Sequence, residues 1–191
     1  LSLRIVPVLD LVQRAHRIGI DLIELHAAHG YLLSAFLSPL ANQRSDAYGG
    51  SLDNRMRYPL EVFTALRATW PEDKPLGVRC NGSDWHAQGW TVEEAVVFAR
   101  ELRERGCDFV DMSSGGNTYT KVPIGPGYQV PFAEAVRKQT GITTMAVGLI
   151  QQANHAEEVV ASGKADMVAI GRAALNNPHW PWAAAEELSA S

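Results

Sequence analysis

One phrase recurs four times along the chain: a helical pattern, then a glycine, then within a few residues a short apolar run. The glycines are Gly19, Gly106, Gly141 and Gly163, and the runs after them are residues 22–25, 109–112, 143–147 and 167–170. A glycine just past a helix can adopt the left-handed conformation that closes the last turn. Each run is β-rich and too short for a helix. A fifth run, residues 76–80, follows a helical segment at 54–69 through the turn Pro71-Glu72-Asp73-Lys74-Pro75. Thr91 and Glu94 have the spacing of a capping box at the start of a helix reaching about residue 105. The expected order is therefore five strands alternating with about six helices, opening on a helix at residues 6–17.

Such alternation with short links predicts parallel βαβ units, with strands covered on both faces. The rhythm by itself is equally compatible with a segment of a (β/α)8 barrel and with an open doubly wound sheet. At 191 residues without a linker or low-complexity stretch, the chain is expected to be one α/β domain, incomplete if it is a barrel.

Composition excludes several function classes. A net charge of −4 argues against a phosphate-backbone groove, so no nucleic-acid partner is expected. The longest apolar runs are interrupted and strand-length, so no membrane partner is expected either. Residues 1–4 do not resemble a secretory signal, and the two cysteines, Cys80 and Cys107, form no CxxC pattern. A cytoplasmic location is the resulting expectation.

In parallel α/β folds ligands gather at the carboxyl ends of strands. The first strand ends in His26-Ala27-Ala28-His29-Gly30-Tyr31-Leu32, two imidazoles and a phenol within six positions. The second carries Arg79, a charge that is costly inside unless paired. The third ends in Ser113-Ser114-Gly115-Gly116-Asn117, the fourth in Gly148, and the fifth in Gly171-Arg172 at the start of a helical segment. Glycine admits a phosphate to the backbone, a helix N-terminus offers amides, and Arg172 a two-pronged donor. Taken singly, Arg79 also reads as half of a structural ion pair, Tyr31 as a packed aromatic and Gly171-Arg172 as a structural turn. The His-x-x-His pair lacks a third ligand for zinc, because His86, His155 and His179 fall on other segments, so no metal is expected. A phosphate-binding lyase or isomerase barrel would call for a strand-end lysine, and none of the five strands offers one.

The His26–Leu32 run, Phe36-Leu37-Ser38-Pro39 and the stretch Asn42-Gln43-Arg44-Ser45-Asp46-Ala47-Tyr48-Gly49-Gly50-Ser51-Leu52-Asp53-Asn54-Arg55 together resemble the signature of the old yellow enzyme family of FMN-dependent ene-reductases. The His-x-x-His form is similar to the bacterial branch that includes the xenobiotic reductases. The likeness continues through Val78-Arg79, Ser113–Gly116, Gly125-Pro126-Gly127-Tyr128-Gln129, Ala146–Ile150, Ile170-Gly171-Arg172 and Asn177-Pro178, and so covers nearly the whole chain.

The resemblance implies a (β/α)8 TIM barrel of which this chain supplies about strands four to eight. It implies FMN as cofactor, NAD(P)H as reductant, and an activated alkene bearing a carbonyl or nitro group as substrate. His26 and His29 would bind the substrate oxygen and Tyr31 would deliver the proton. Arg79 would lie against the flavin pyrimidine, and Gly148, Gly171 and Arg172 would hold the FMN phosphate. The loop at residues 38–54 is expected to be structural, with Arg44, Asp46 and Arg55 paired internally. The missing barrel units imply a homo-oligomer or a complementing N-terminal half-barrel as partner. The competing expectation is a half-barrel that no longer catalyses and survives as a scaffold.

Overall fold

A computed structural model describes the backbone of residues 2–189 and the side chains of residues 8–189. Leu1 lies outside the described residues, as do the side chains of residues 2–7, so the reading that residues 1–4 do not resemble a secretory signal is not addressed. Strands β1 (Ile23–Ala27), β2 (Leu76–Asn81), β3 (Phe109–Ser113), β4 (Thr143–Ala146) and β5 (Met167–Val168) form one sheet in the order β1-β2-β3-β4-β5, every pair parallel. Between and around them run α1 (Ser2–Arg17), α2 (Leu32–Leu37), α3 (Leu52–Arg67), α4 (Val92–Glu104), α5 (Val130–Thr140), α6 (Ala153–Ala161), α7 (Arg172–Asn176) and α8 (Trp180–Ser189).

The strand order decides between the two architectures left open by the rhythm. A doubly wound sheet reverses its order at a switch point, whereas a barrel adds each strand beside the last. Here every strand lies beside its predecessor, as in a barrel segment. The four expected glycines all have positive φ, from 67° to 84°, so each closes its helix as a left-handed residue. Thr91 and Glu94 form the capping box, and Ser51 caps α3, which therefore starts two residues before the expected position.

The sheet has two unlike faces. Leu25, Ala27, Leu76, Val78, Cys80, Val110, Met112 and Ala146 point to the helices and join the main core with Phe63, Trp70, Phe98 and Val136. With period-two alternation, Glu24, His26, Gly77, Arg79, Asn81, Phe109, Asp111 and Ser113 share the opposite face. Phe109 lies over Gly77, where a Cβ would stand 2.2 Å from its ring. One face is thus dry core, and the other carries charge. Among the described residues no helix is long and apolar enough to cross a membrane.

Some expectations shift. The fifth strand shrinks from 167–170 to Met167–Val168, because its ladder with β4 spans only two residue pairs; a single further bond, Ala169 N–H to the Ala146 carbonyl, continues it. Eight helices are described in place of about six, because α2 and α7 are too short to leave a periodic signal. In the 38–54 loop Arg44 does pair with Asp46. Arg55 does not join them: it is buried and reaches Glu94 of α4 at 2.5 Å and the carbonyls of Leu37 and Gly50.

Candidate active site

His26 occupies β1 itself, and the chain turns sharply just beyond it. His29 and Gly30 both have positive φ, 60° and 74°. For a histidine this left-handed backbone is strained, and the surroundings hold it in place. Asn81 Oδ1 accepts from the His29 amide at 3.3 Å. Gly116 passes so close that a Cβ there would stand 2.2 Å from the His29 carbonyl carbon. The reversal folds three rings together: His26 lies 5.2 Å from His29 and 5.2 Å from Tyr31, centroid to centroid. Tyr31, at the N-cap of α2, is 64% exposed. The three residues singled out in the sequence are therefore brought into one cluster.

The surroundings of both imidazoles favour the neutral form. Burial pushes His29 down to about 4, with Arg79 and then His26 adding to the effect. Burial and the Arg79 charge also lower His26. Arg79 pairs in register with His26 on one side and Asp111 on the other, and its Nη1 lies 2.9 Å from Asp111 Oδ2. Asp111 is raised by its burial, against the pull of Arg79. Glu24, one inward-facing position before His26, is pushed up to about 7 by burial and by Asp111, with Arg79 opposing.

The other four predicted residues also come together. Arg79, Gly148, Gly171 and Arg172 line a single recess of about 180 Å³, with Ser113, Tyr128, Gln129 and Val147 among its other walls. A Cβ on Gly148 would meet the Tyr128 ring at 3.1 Å, so this wall has no room for a side chain. Arg172 has no ion pair among the described residues, and the buried Nε of Arg79 has no hydrogen-bond partner. The helix after Gly171 contributes less than expected: α7 has five residues, too few peptide dipoles to build a strong positive end.

Sequence reasoning gave no role to Asp111, Gln129 or Asn81. Asp111 had a legible signal, an acidic residue within an otherwise apolar strand run. Gln129 sits in a turn and its amide bonds only to residues distant in sequence, Ser113, Ser114 and Val147, so nothing local marks it.

The profile of the NADH:flavin oxidoreductase / NADH oxidase family matches residues 9–191. An NADPH dehydrogenase of Geobacillus thermodenitrificans is 51% identical over 179 residues, 94% of this chain and 52% of the relative. The NADPH dehydrogenase of Bacillus subtilis is 43% identical, with 92% and 52% covered. The chain thus spans about half the length of these curated relatives. Among solved structures, morphinone reductase superposes with a TM-score of 0.78 at 28% identity, covering 96% of this chain and 49% of that one. A 2-naphthoyl-CoA reductase complex gives 0.90 at 26% identity, covering 97% and 29%. With a family match over nearly its full length and a five-stranded parallel sheet in barrel order, the chain belongs to the NADH:flavin oxidoreductase / NADH oxidase family.

Proposed function

We propose that this chain carries the substrate clamp and part of the FMN site of an NAD(P)H-dependent oxidoreductase that reduces the activated C=C bond of α,β-unsaturated carbonyl or nitro compounds. The observation that carries the reading is the joint placement of Arg79, Gly148, Gly171 and Arg172 around one recess, with Ser113 both lining that recess and bonding His29 of the ring cluster.

The residues fit FMN on their own chemistry. Arg172 is a cation without a counter-ion among the described residues, and Gly148 and Gly171 leave the backbone open, as a phosphate requires. The unpartnered Nε of Arg79 is a donor in want of an acceptor, and a flavin pyrimidine has acceptors along its edge. The chemistry that FMN supplies when bound is hydride transfer, from NAD(P)H to the ring and from the ring to the alkene. Arg79, steadied by Asp111, sets a fixed positive charge beside that site. His26, with His29 beside it, holds the substrate oxygen, where an N–H donor stabilises the negative charge that grows as hydride arrives. In its neutral form, which burial and the Arg79 charge favour, His26 donates without bringing a charge of its own. The exposed Tyr31 hydroxyl, beside His26, delivers the proton to the other alkene carbon.

The partners implied are a small enone or nitro substrate and, around the open sheet, a homo-oligomer or a complementing N-terminal half-barrel. Two free, buried cysteines accord with a reducing cytoplasm. The test is the colour and half-reactions of the purified protein. A flavin absorbance band is expected, and Tyr31→Phe slows alkene reduction while leaving flavin reduction by NADPH nearly intact. A colourless protein indifferent to added FMN overturns the reading, and equal losses in both half-reactions make Tyr31 structural.

A further inference from the structure

One end of the His29 ring is engaged by the protein. Nε2 lies 2.6 Å from Ser113 Oγ, and the same hydroxyl stands 3.3 Å from Gln129 Oε1. Ser114 donates to that amide oxygen at 2.5 Å. The amide of Gln129 is oriented, because its NH2 group donates to the Val147 carbonyl at 3.3 Å and a carbonyl can only accept. Its oxygen must therefore face the two serines.

A hydroxyl has one proton to give. If Ser113 gave it to His29, its lone pairs would face the lone pairs of Gln129 Oε1, acceptor against acceptor. Ser113 and Gln129 are each 3% exposed, so no bulk water relieves such a mismatch. With the proton directed to Gln129 instead, Ser113 meets the imidazole as an acceptor, and His29 supplies the hydrogen. We propose that Ser113 and Gln129 are positioning residues for His29, holding its ring as the Nε2–H tautomer with Nδ1 bare.

The ring is well placed for such control. It is neutral over the physiological range, so its tautomer is a real choice. Its strained backbone is pinned by Asn81 and by the close pass of Gly116. Nδ1 has no protein partner among the described residues. The consequence for ligands, which rests on the substrate role proposed above, is a division of labour between the two histidines. His29 engages Ser113 through its only N–H and offers an acceptor, so donation to a substrate oxygen falls to His26. The bare Nδ1 suits a phenol, whose oxygen carries a hydrogen, while the hydrogen-free oxygen of an enone or nitro group is left to His26.

Long-range ¹H–¹⁵N correlation spectra of the histidine rings in the purified holoenzyme test this, with His29 assigned by the signals lost in His29→Asn. The Nε2–H pattern is expected in the wild type and in Ser113→Thr, which keeps the hydroxyl. Ser113→Ala shifts the ring to a mixture of tautomers, and Gln129→Met, which releases the Ser113 proton, shifts it toward Nδ1–H. An Nδ1–H pattern in the wild type overturns the proposal, as does a pattern indifferent to both Ser113→Ala and Gln129→Met. Phenol titration of the flavin absorbance separates the two layers. If the spectra behave as expected while His29→Asn binds phenol as tightly as the wild type, the network stands and the substrate role of His29 falls.

Discussion

Arg79 and Asp111 meet at paired register positions of adjacent strands, with Nη1 2.9 Å from Oδ2, on the face of the sheet turned away from the helices. The Asp111 side chain is 2% exposed and that of Arg79 27%, so the carboxylate is the member that depends on the pair. Removing one partner of a buried pair leaves an uncompensated charge, which costs more than the pair contributes. Arg79→Met is therefore expected to destabilise the fold by about 3 kcal/mol, read from denaturant midpoints. Adding Asp111→Leu should recover part of that loss. A loss below about 1 kcal/mol, the range of a surface pair, would show that Asp111 is not stranded.

Glu24 and His29 give the stability curve two opposing slopes. Glu24 is raised from 4.5 to about 7, so the folded state binds its proton more tightly, and stability falls as pH rises through this window. His29 is lowered from 6.5 to about 4, so the folded state binds its proton less tightly, and stability is lost as pH falls through that window. Asp111 shares the sign of Glu24, and His26 that of His29. Glu24→Gln should melt higher than the wild type above the Glu24 window and match it at the acid end. His29→Asn should lose less stability than the wild type on acidification. Thermal melts across the range decide both, and a Glu24→Gln curve parallel to the wild type would remove Glu24 from the account.

Gly116 is constrained by space as well as by conformation. Its φ is +94°, and a Cβ would stand 2.2 Å from the His29 carbonyl carbon. Gly50 has a similar φ of +81° but nothing within 4 Å of its would-be Cβ. Gly50→Ala therefore measures strain alone, expected at about 1 kcal/mol, while Gly116→Ala must exceed it and push His29 away from Ser113. Equal losses in the two variants would mean that the close pass adds nothing.

What the sequence made legible was local. The four helix-ending glycines and the Thr91–Glu94 box are backbone signals contained within a few residues, and all appear as read. The ring cluster followed from three residues within six positions. The barrel order did not follow from the rhythm, because alternation says that strands are parallel and not which lies beside which. Gln129 and Asn81 act through partners distant in sequence, on neighbouring strand ends, so spacing carries no trace of them; Asp111 stood out as an acid in an apolar run, but its pairing with Arg79 on the next strand did not. Arg55 fails for the same reason: Glu94, its partner in α4, lies 39 positions away, while nearer acids looked sufficient.

Arg55 and Arg44 then make a contrast that the sequence alone would not draw. The Arg44–Asp46 pair is exposed on both sides, and Arg44→Ala should leave stability unchanged within error. Arg55 has a side chain 6% exposed and ties the loop to the barrel helices, donating to the Leu37 and Gly50 carbonyls and to Glu94, which also caps α4 through Thr91. Arg55→Leu strands two carbonyls and a carboxylate together, a loss of about 3 kcal/mol. It should also free the loop locally, so tryptic cleavage after Arg44 accelerates in Arg55→Leu before global unfolding sets in. Unchanged cleavage alongside the full stability loss would place the effect of Arg55 on α4 and its cap, and not on the loop.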